Sequence, residues 1–260
     1  MASIRQNLPP ELQDGSRVGH VHSAETTSGV NGPGVRYTVF FSGCPLRCLY
    51  CHNPDTQMMR LGDRTTVNRV LAEAKKYLPF ISRGGGITIT GGEPLQQPAF
   101  LEDIFVGAKT ELGLHTALDT SGMGGAKASD RLLDHTDLVL LDIKAGNPRR
   151  YSYVTQTGDF DQLMAFAQRL KSKGIRLWIR FVLVPGLTAD AENVGQVADI
   201  CVGLQSVIDR IEVLPYHRLG VDKYTALGRS YALMDTEPPT PAEVEDALAI
   251  FRERDLEPIV

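Results

Sequence analysis

Three of the four cysteines in this chain of 260 residues fall within eight positions, in the stretch Gly43-Cys44-Pro45-Leu46-Arg47-Cys48-Leu49-Tyr50-Cys51-His52-Asn53-Pro54. Thiolates at the spacing C-x3-C-x2-C on one short loop can converge on one metal centre. A structural zinc site closes with four protein ligands, whereas a catalytic centre keeps a position open. An iron–sulfur cube is usually closed by four cysteines. Three cysteines therefore suggest a cube with one iron left for a ligand that is not protein. A disulfide would leave an odd thiol and needs an oxidising compartment, for which nothing in the sequence argues. A zinc site completed by His52 would put two adjacent residues, Cys51 and His52, on one tetrahedral centre, which is awkward. Small buried hydrophobes rarely cluster at such spacing, although Cys201, far away in the chain, reads as one.

A loop of this kind has to be held by regular structure, and the pattern around it repeats. Val35 to Phe41 is β-branched and aromatic, a strand that runs straight into the cysteines. Further strands are expected at Gly86–Thr90, Leu114–Leu118, Asp137–Ile143, Arg176–Val184 and Arg210–Leu214. Helical spacing separates them at Val67–Leu78, Pro98–Leu112, Asp130–His135, Phe160–Lys173 and Ala189–Val202, and Pro241–Arg254 closes the chain. Strands alternating with helices imply parallel βαβ units with right-handed crossovers. A full barrel uses eight such units. The count here predicts an α/β fold, a partial (β/α)6 barrel of parallel strands that is open on one side. Residues 1–18, with Pro9-Pro10 and few apolar positions, are expected to form a loose arm ahead of a single domain over 19–260. Gly19 to Gly34 is rich in Gly, Ser and Thr, and Asn31-Gly32-Pro33-Gly34 marks a turn.

In parallel barrels, active sites form where strands end. The six expected strands lead into the cysteine loop, Thr90-Gly91-Gly92-Glu93-Pro94, Asp119-Thr120-Ser121-Gly122, Asp142-Ile143-Lys144, Val184-Pro185-Gly186 and Pro215-Tyr216-His217. Every one carries Gly, Pro or polar groups suited to a site. Gly91 and Gly92 would let a ligand approach the backbone. Asp142 and Lys144 alternate about Ile143 and so point the same way. Arg180 shares a strand face with Trp178 and Val182 and, if buried, needs a partner.

The bulk properties exclude some classes of function. The chain is 42% apolar and 22% charged, with 27 basic against 31 acidic residues and a net charge of −4. No basic block offers a nucleic acid a footprint. No stretch approaches the ~18 apolar residues of a membrane span. Met1 to Arg17 lacks the apolar core of a signal peptide, so the cytoplasm is the expected location.

The cysteine loop, with the aromatic Tyr50 before the third cysteine, resembles the cluster-binding loop of the radical S-adenosylmethionine (SAM) superfamily. The wider stretches Phe40-Phe41-Ser42-Gly43-Cys44 and Cys48-Leu49-Tyr50-Cys51-His52-Asn53 are similar to the glycyl-radical-enzyme activases, and the likeness runs from about Gly19 to the C-terminus. The resemblance implies a [4Fe–4S] cluster on Cys44, Cys48 and Cys51, with SAM chelating the open iron. It implies reductive cleavage of the S–C5′ bond and removal of a hydrogen from a glycine Cα of a partner enzyme. It places Tyr50, Cys51, His52, Gly91, Gly92, Glu93, Asp142, Ile143, Lys144 and His217 at the SAM site, with Gly91-Gly92-Glu93 at the methionine amino group and Lys144 pairing a carboxylate. It also suggests a monovalent cation near Asp119, Thr120, Leu140 and Asp142. The 39 residues between Cys51 and Gly91 hold no further cysteine. The ferredoxin-like insert of several activases is therefore missing, which favours a partner of the pyruvate formate-lyase type. A flavodoxin or ferredoxin-type protein would donate the electron. Asn31 departs from the family pattern, which has Asp before Gly-Pro-Gly.

Overall fold

The computed structural model describes residues 12–260, and its centre is one continuous sheet. Its strands are β1 (Val18–Ser28), β2 (Arg36–Phe41), β3 (Asp63–Thr66), β4 (Gly86–Gly91), β5 (His115–Thr120), β6 (Leu138–Asp142), β7 (Arg176–Leu183), β8 (Ile208–Pro215) and β9 (Pro258–Ile259). The sheet order is β3-β1-β2-β4-β5-β6-β7-β8-β9. From β2 to β9 every neighbouring pair is parallel, whereas β1 runs antiparallel to both β2 and β3. β3 and β9 are the two ends and do not pair, so the arc stays open, as expected for a partial barrel. The six strands expected from sequence correspond to β2, β4, β5, β6, β7 and β8.

The helices are α1 (Val67–Lys76), α2 (Leu78–Ile81), α3 (Pro98–Thr110), α4 (Asp130–Asp134), α5 (Pro148–Thr155), α6 (Phe160–Ser172), α7 (Ala191–Leu204), α8 (Val221–Ala226) and α9 (Pro241–Arg252). Most start at side chains that satisfy free N–H groups: Thr66, Ser129, Asn147, Asp159, Asp190 and Thr240 each accept a bond from the first turn. They cover the outer face of the sheet, so strand residues such as Val139 and Leu141 are buried against helices such as α6 and α7. The alternate residues of β6, Leu138 and Leu140, face inward and close on Ala117 and Trp178. Arg210 covers the Trp178 ring at 4.0 Å. An apolar floor thus sits inside the barrel, below the strand ends.

The segment before the first expected strand differs from the sequence reading. In the stretch Gly19 to Gly34 the sequence marked a turn at Asn31-Gly32-Pro33-Gly34 but no strand. Most of it is β1, whose alternation was hidden by its Gly, Ser and Thr content and is supplied instead by pairing with β2 and β3. Of the expected loose arm, residues 1–11 lie outside the described residues. Residues 12–18 are tied down: Leu12 is buried, the Asp14 carboxylate accepts from Thr66, and Arg17 pairs with Asp103.

Arg36, fully buried at the start of β2, is the largest polar group in the core. Its guanidinium donates to Thr88 Oγ1 at 2.9 Å and Ile87 O at 2.6 Å, and it meets His115 Nδ1 at 3.1 Å. Burial pulls its pKa down to about 10, so it remains charged at neutral pH. The imidazole must therefore accept at Nδ1 and be neutral. Burial, followed by the Arg36 charge, holds His115 below its ordinary pKa. Because the unfolded chain binds the His115 proton more readily, the stability this site contributes is complete above about pH 6.5 and lost as pH falls toward the depressed native value. Urea unfolding of the metal-free chain at pH 7.5 and pH 5.5 is expected to show that loss, with a slope no greater than one proton. His115→Gln should flatten it, and an identical slope in the variant would refute the assignment.

Candidate active site

The cysteine loop leaves β2 and is held on three sides by backbone hydrogen bonds. Gly43 N donates to Thr56 O at 2.7 Å and Cys44 N to Gln57 O at 3.0 Å. Glu93 N donates back to Gly43 O at 2.8 Å, which joins the loop to the end of β4. Arg47 N and Leu49 N, each at 2.9 Å, satisfy the Thr155 and Val154 carbonyls at the end of α5. The Arg47 guanidinium folds back onto the Cys44 and Leu46 carbonyls at 2.7 and 2.6 Å. So pinned, Cys44, Cys48 and Cys51 all line one cavity of about 460 Å³.

The strand ends complete its wall. Tyr50, His52, Gly91, Gly92, Asp119, Thr120, Asp142, Lys144 and His217 line the same cavity. The His52 and His217 rings meet at a tilt of 53° with centroids 4.2 Å apart. Gly91 sits at φ +111°, which favours glycine, and a Cβ there would fall 2.4 Å from Phe41 N. At Gly92 a Cβ would lie 2.5 Å from Gly43 O and 3.0 Å from Thr56 O. Gly92→Ala must therefore push the cysteine loop away. Its expected cost is about 1–3 kcal/mol in a thermal melt of the metal-free chain. A fall in SAM affinity on isothermal titration of the loaded enzyme should accompany it, and unchanged affinity would remove Gly92 from the ligand wall.

Three expected residues do not reach the cavity. Glu93 is completely buried, and its carboxylate accepts from Thr120 Oγ1 at 2.6 Å, Ser121 Oγ at 2.5 Å, Ser121 N at 2.9 Å and Leu95 N at 3.1 Å. It clamps the β4 and β5 ends together and is spent in doing so, although burial still raises its pKa. Ile143 turns toward the outer core, as its place between Asp142 and Lys144 requires. Leu140 belongs to the inner apolar floor. Conversely, Asn53, Val182 and Leu214 line the cavity without having been singled out. For Val182 the signal was available, since it stands one inward position beyond Arg180 on β7.

Charge at the mouth is balanced in pairs. Lys144 Nζ lies 2.9 Å from Asp142 Oδ2, with side-chain exposures of only 11% and 27%. Burial, the largest single influence, would lower the Lys144 pKa, but Asp142, Tyr50 and Cys48 together outweigh it and hold the ammonium well above its ordinary value. Arg180 bridges Glu212 at 2.9 Å and Asp119 at 3.2 Å and also donates to Val30 O. Thr90 Oγ1 donates to the same Asp119 oxygen at 2.8 Å. A monovalent ion at Asp119 would have to share that carboxylate with Arg180.

The residues fit an iron–sulfur cluster. Among the described residues, no three His, Cys, Asp or Glu side chains meet at a point that one ion could fill. The three thiols instead surround a volume, which suits a cluster where each cysteine takes its own iron. Burial pushes the Cys44 thiol up to about 12 and Cys48 to about 11, so their protons leave only when a cationic centre displaces them. The Tyr50 hydroxyl is buried and has no protein partner, although the residue lines the cavity.

The radical SAM superfamily model matches residues 38–196. The pyruvate formate-lyase-activating enzyme of Clostridium pasteurianum is 44% identical over 223 residues, 85% of this chain and 91% of that protein. Its counterpart from Staphylococcus epidermidis is 41% identical over 237 residues, 88% of this chain and 93% of that one. The chain belongs to the pyruvate formate-lyase-activating enzymes of the radical SAM superfamily. Solved structures agree on the fold. A domain of a pyruvate-formate lyase-activating enzyme from Bacteroides vulgatus superposes with TM-score 0.56 at 23% identity, covering 68% of this chain and 98% of that one. A radical SAM methyltransferase from Sphaerobacter thermophilus superposes with TM-score 0.63 at 20% identity, covering 86% and 66%. The radical SAM superfamily uses a [4Fe–4S] cluster and SAM, and the thiols and wall described above are where this member would hold them.

Proposed function

We propose that this chain installs a glycyl radical on a pyruvate formate-lyase. The observation that carries the reading is the convergence of three half-buried thiols, the Gly91-Gly92 backbone and the Asp142–Lys144 pair on one cavity inside an open barrel. When bound to Cys44, Cys48 and Cys51, the cluster would supply with SAM the one-electron chemistry that removes a hydrogen atom from the partner's glycine Cα, with methionine and 5′-deoxyadenosine as the other products.

The protein's own part is placement. Cys44, Cys48 and Cys51 would hold the cluster, and the Gly91-Gly92 turn on the same cavity wall would let a methionine amino group approach the backbone. Lys144 offers its ammonium to the methionine carboxylate, and Asp142 keeps that ammonium charged and in place. Tyr50, His52 and His217 provide flat faces for the adenosyl group. Val182 and Leu214 keep the inner wall apolar, which limits water near a reactive species. The open side of the arc admits a polypeptide segment. A flavodoxin or ferredoxin-type protein is the electron donor in this reading, and the cytoplasm is the location. No helix among the described residues is long and apolar enough to cross a membrane, and no basic block suits a nucleic acid. A monovalent cation near Asp119, Thr120, Leu140 and Asp142 would be an addition to charges already balanced.

The test is anaerobic. The reconstituted, reduced enzyme is mixed with SAM and a pyruvate formate-lyase, and the electron paramagnetic resonance (EPR) spectrum is recorded. A glycyl-radical doublet together with 5′-deoxyadenosine is the expected result. Deoxyadenosine without the doublet would point to another activase target or a small-molecule substrate. Neither product from a verified reduced cluster would leave an electron carrier.

A further inference from the structure

Past Cys51 the chain doubles back through a single helical turn, Pro54–Thr56, and two cations from one element grip the ends of that turn. Lys223, on α8, donates to Asn53 Oδ1 at 2.8 Å and pairs with Asp55 at 3.2 Å. Asp55 also meets His22 of β1 at 3.3 Å. Arg229, whose N–H closes α8 on Tyr224 O at 2.9 Å, donates its guanidinium to Gln57 Oε1 at 2.9 Å. At the start of α8, Gly220 touches the loop too, since a Cβ there would fall 3.1 Å from His52 Cα. Each gripped end leads to a cysteine. Asn53 is two residues past Cys51. Gln57 is buried, and its carbonyl accepts the Cys44 N–H at 3.0 Å, while Thr56 O accepts that of Gly43 at 2.7 Å. The α5 bonds lie elsewhere on the loop: Arg47 and Leu49 bracket the middle cysteine, Cys48.

We propose that Lys223 and Arg229 are positioning residues that set the separation of Cys44 and Cys51, and thereby govern how firmly the chain keeps its cluster. This rests on the cluster reading above. Three thiolates must stand at the right spacing together, and α5 fixes only the middle one. The outer two are set through the Pro54–Thr56 turn, which α8 holds at both ends. Without either cation the turn keeps its internal bonds, from Thr56 N and Thr56 Oγ1 to Asn53 O, but loses its anchor on α8. Groups that orient metal ligands in this indirect way typically carry about 10-fold to 100-fold of the affinity. Lys223 is 41% exposed and Arg229 half-buried, so the fold itself gains little from their bonds. The cost of removing them should fall on the loop.

The test compares the parent with Lys223→Met, Arg229→Met, the double variant and the conservative variant Arg229→Lys. Arg252→Met, which breaks an ion pair on the remote α9, is the control. Metal-free chains are taken first, under anaerobic reducing conditions, and their melting temperatures should match. Hydrogen exchange at the Gly43 and Cys44 amides should quicken about threefold to tenfold in Arg229→Met and return toward the parent rate in Arg229→Lys. Exchange at Arg47 and Leu49 should not change. The reconstituted chains are then exposed to an iron chelator. Iron should leave each Met variant at positions 223 and 229 about tenfold faster than the parent, and the double variant faster again. Arg252→Met should match the parent. Unchanged exchange at Gly43 and Cys44 in Arg229→Met would overturn the proposal, as would parent-like iron release from the double variant. Equal quickening at Arg47 and Leu49 would do so too, because the loop would then have loosened as a whole. A parent chain that takes up no cluster would remove the cluster reading, and the metal-free exchange rates would still decide whether α8 holds the loop.

Discussion

Cys48→Ala is expected to abolish turnover, by at least ~10³-fold, because the group that supplies the chemistry is lost and not merely retuned. The three thiols line one cavity, and Cys48 is the central one of the loop pinned to the end of α5. Two remaining cysteines cannot hold a cube against loss of iron. The fold should survive, since the side chain is half-buried and its removal costs on the order of 1 kcal/mol. Iron analysis, the EPR spectrum of the reduced chain and the yield of 5′-deoxyadenosine would be measured beside a thermal melt. Cys201→Ala is the matched contrast. Cys201 is fully buried on α7 and absent from the cavity wall, so this change should lower the melting temperature and leave activity intact. A Cys48→Ala chain with a full cluster and ordinary turnover would end the assignment.

Lys144→Met should weaken SAM binding about 10²-fold, the scale for losing one partner of a largely desolvated charge pair. It also leaves Asp142 without its ammonium, for a loss of about 3 kcal/mol in folding stability. The double variant with Asp142→Asn separates the two roles. Stability should largely return once no charge is left unpaired, whereas SAM affinity should not. Isothermal titration and thermal melts of the same preparations report both numbers. Recovered affinity in the double variant would mean that Lys144 serves only the fold.

The sequence made the architecture legible where burial is two-sided. The strand Leu138–Asp142, apolar on both faces, announces a parallel sheet covered by helices, and all six expected strands were found within a few residues of their expected places. β1 was missed because its Gly, Ser and Thr content imitates a loop and its regularity comes from partners. β9 was missed because two residues carry no pattern. Within the site, residue types marked the strand ends well, but side-chain direction needed the structure. Glu93 looks like a ligand group beside two glycines, yet four donors from Leu95, Thr120 and Ser121 claim it first. Ile143 lies between two cavity residues and so had to face away. Arg180 needed a partner on burial, but only the structure shows that it spans two carboxylates, Glu212 beside it in register on β8 and Asp119 two strands away on β5.

The loop's attachment to α5 has a consequence for how the protein matures. Arg47 and Leu49 are fastened to Thr155 and Val154, Pro45 O accepts from Thr157 at 2.6 Å, and Lys223 reaches Asn53 at 2.8 Å. These contacts close loops of more than a hundred residues, which fold late because their ends must first meet. While the ribosome is still making the second half of the chain, the three cysteines have only their contacts with Thr56, Gln57 and Glu93 and lack the anchor at the end of α5. Iron delivered then would find a flexible thiol peptide. Metal loading therefore belongs after synthesis, and a chain ending before α5 would carry every cluster ligand but only part of the frame that holds them.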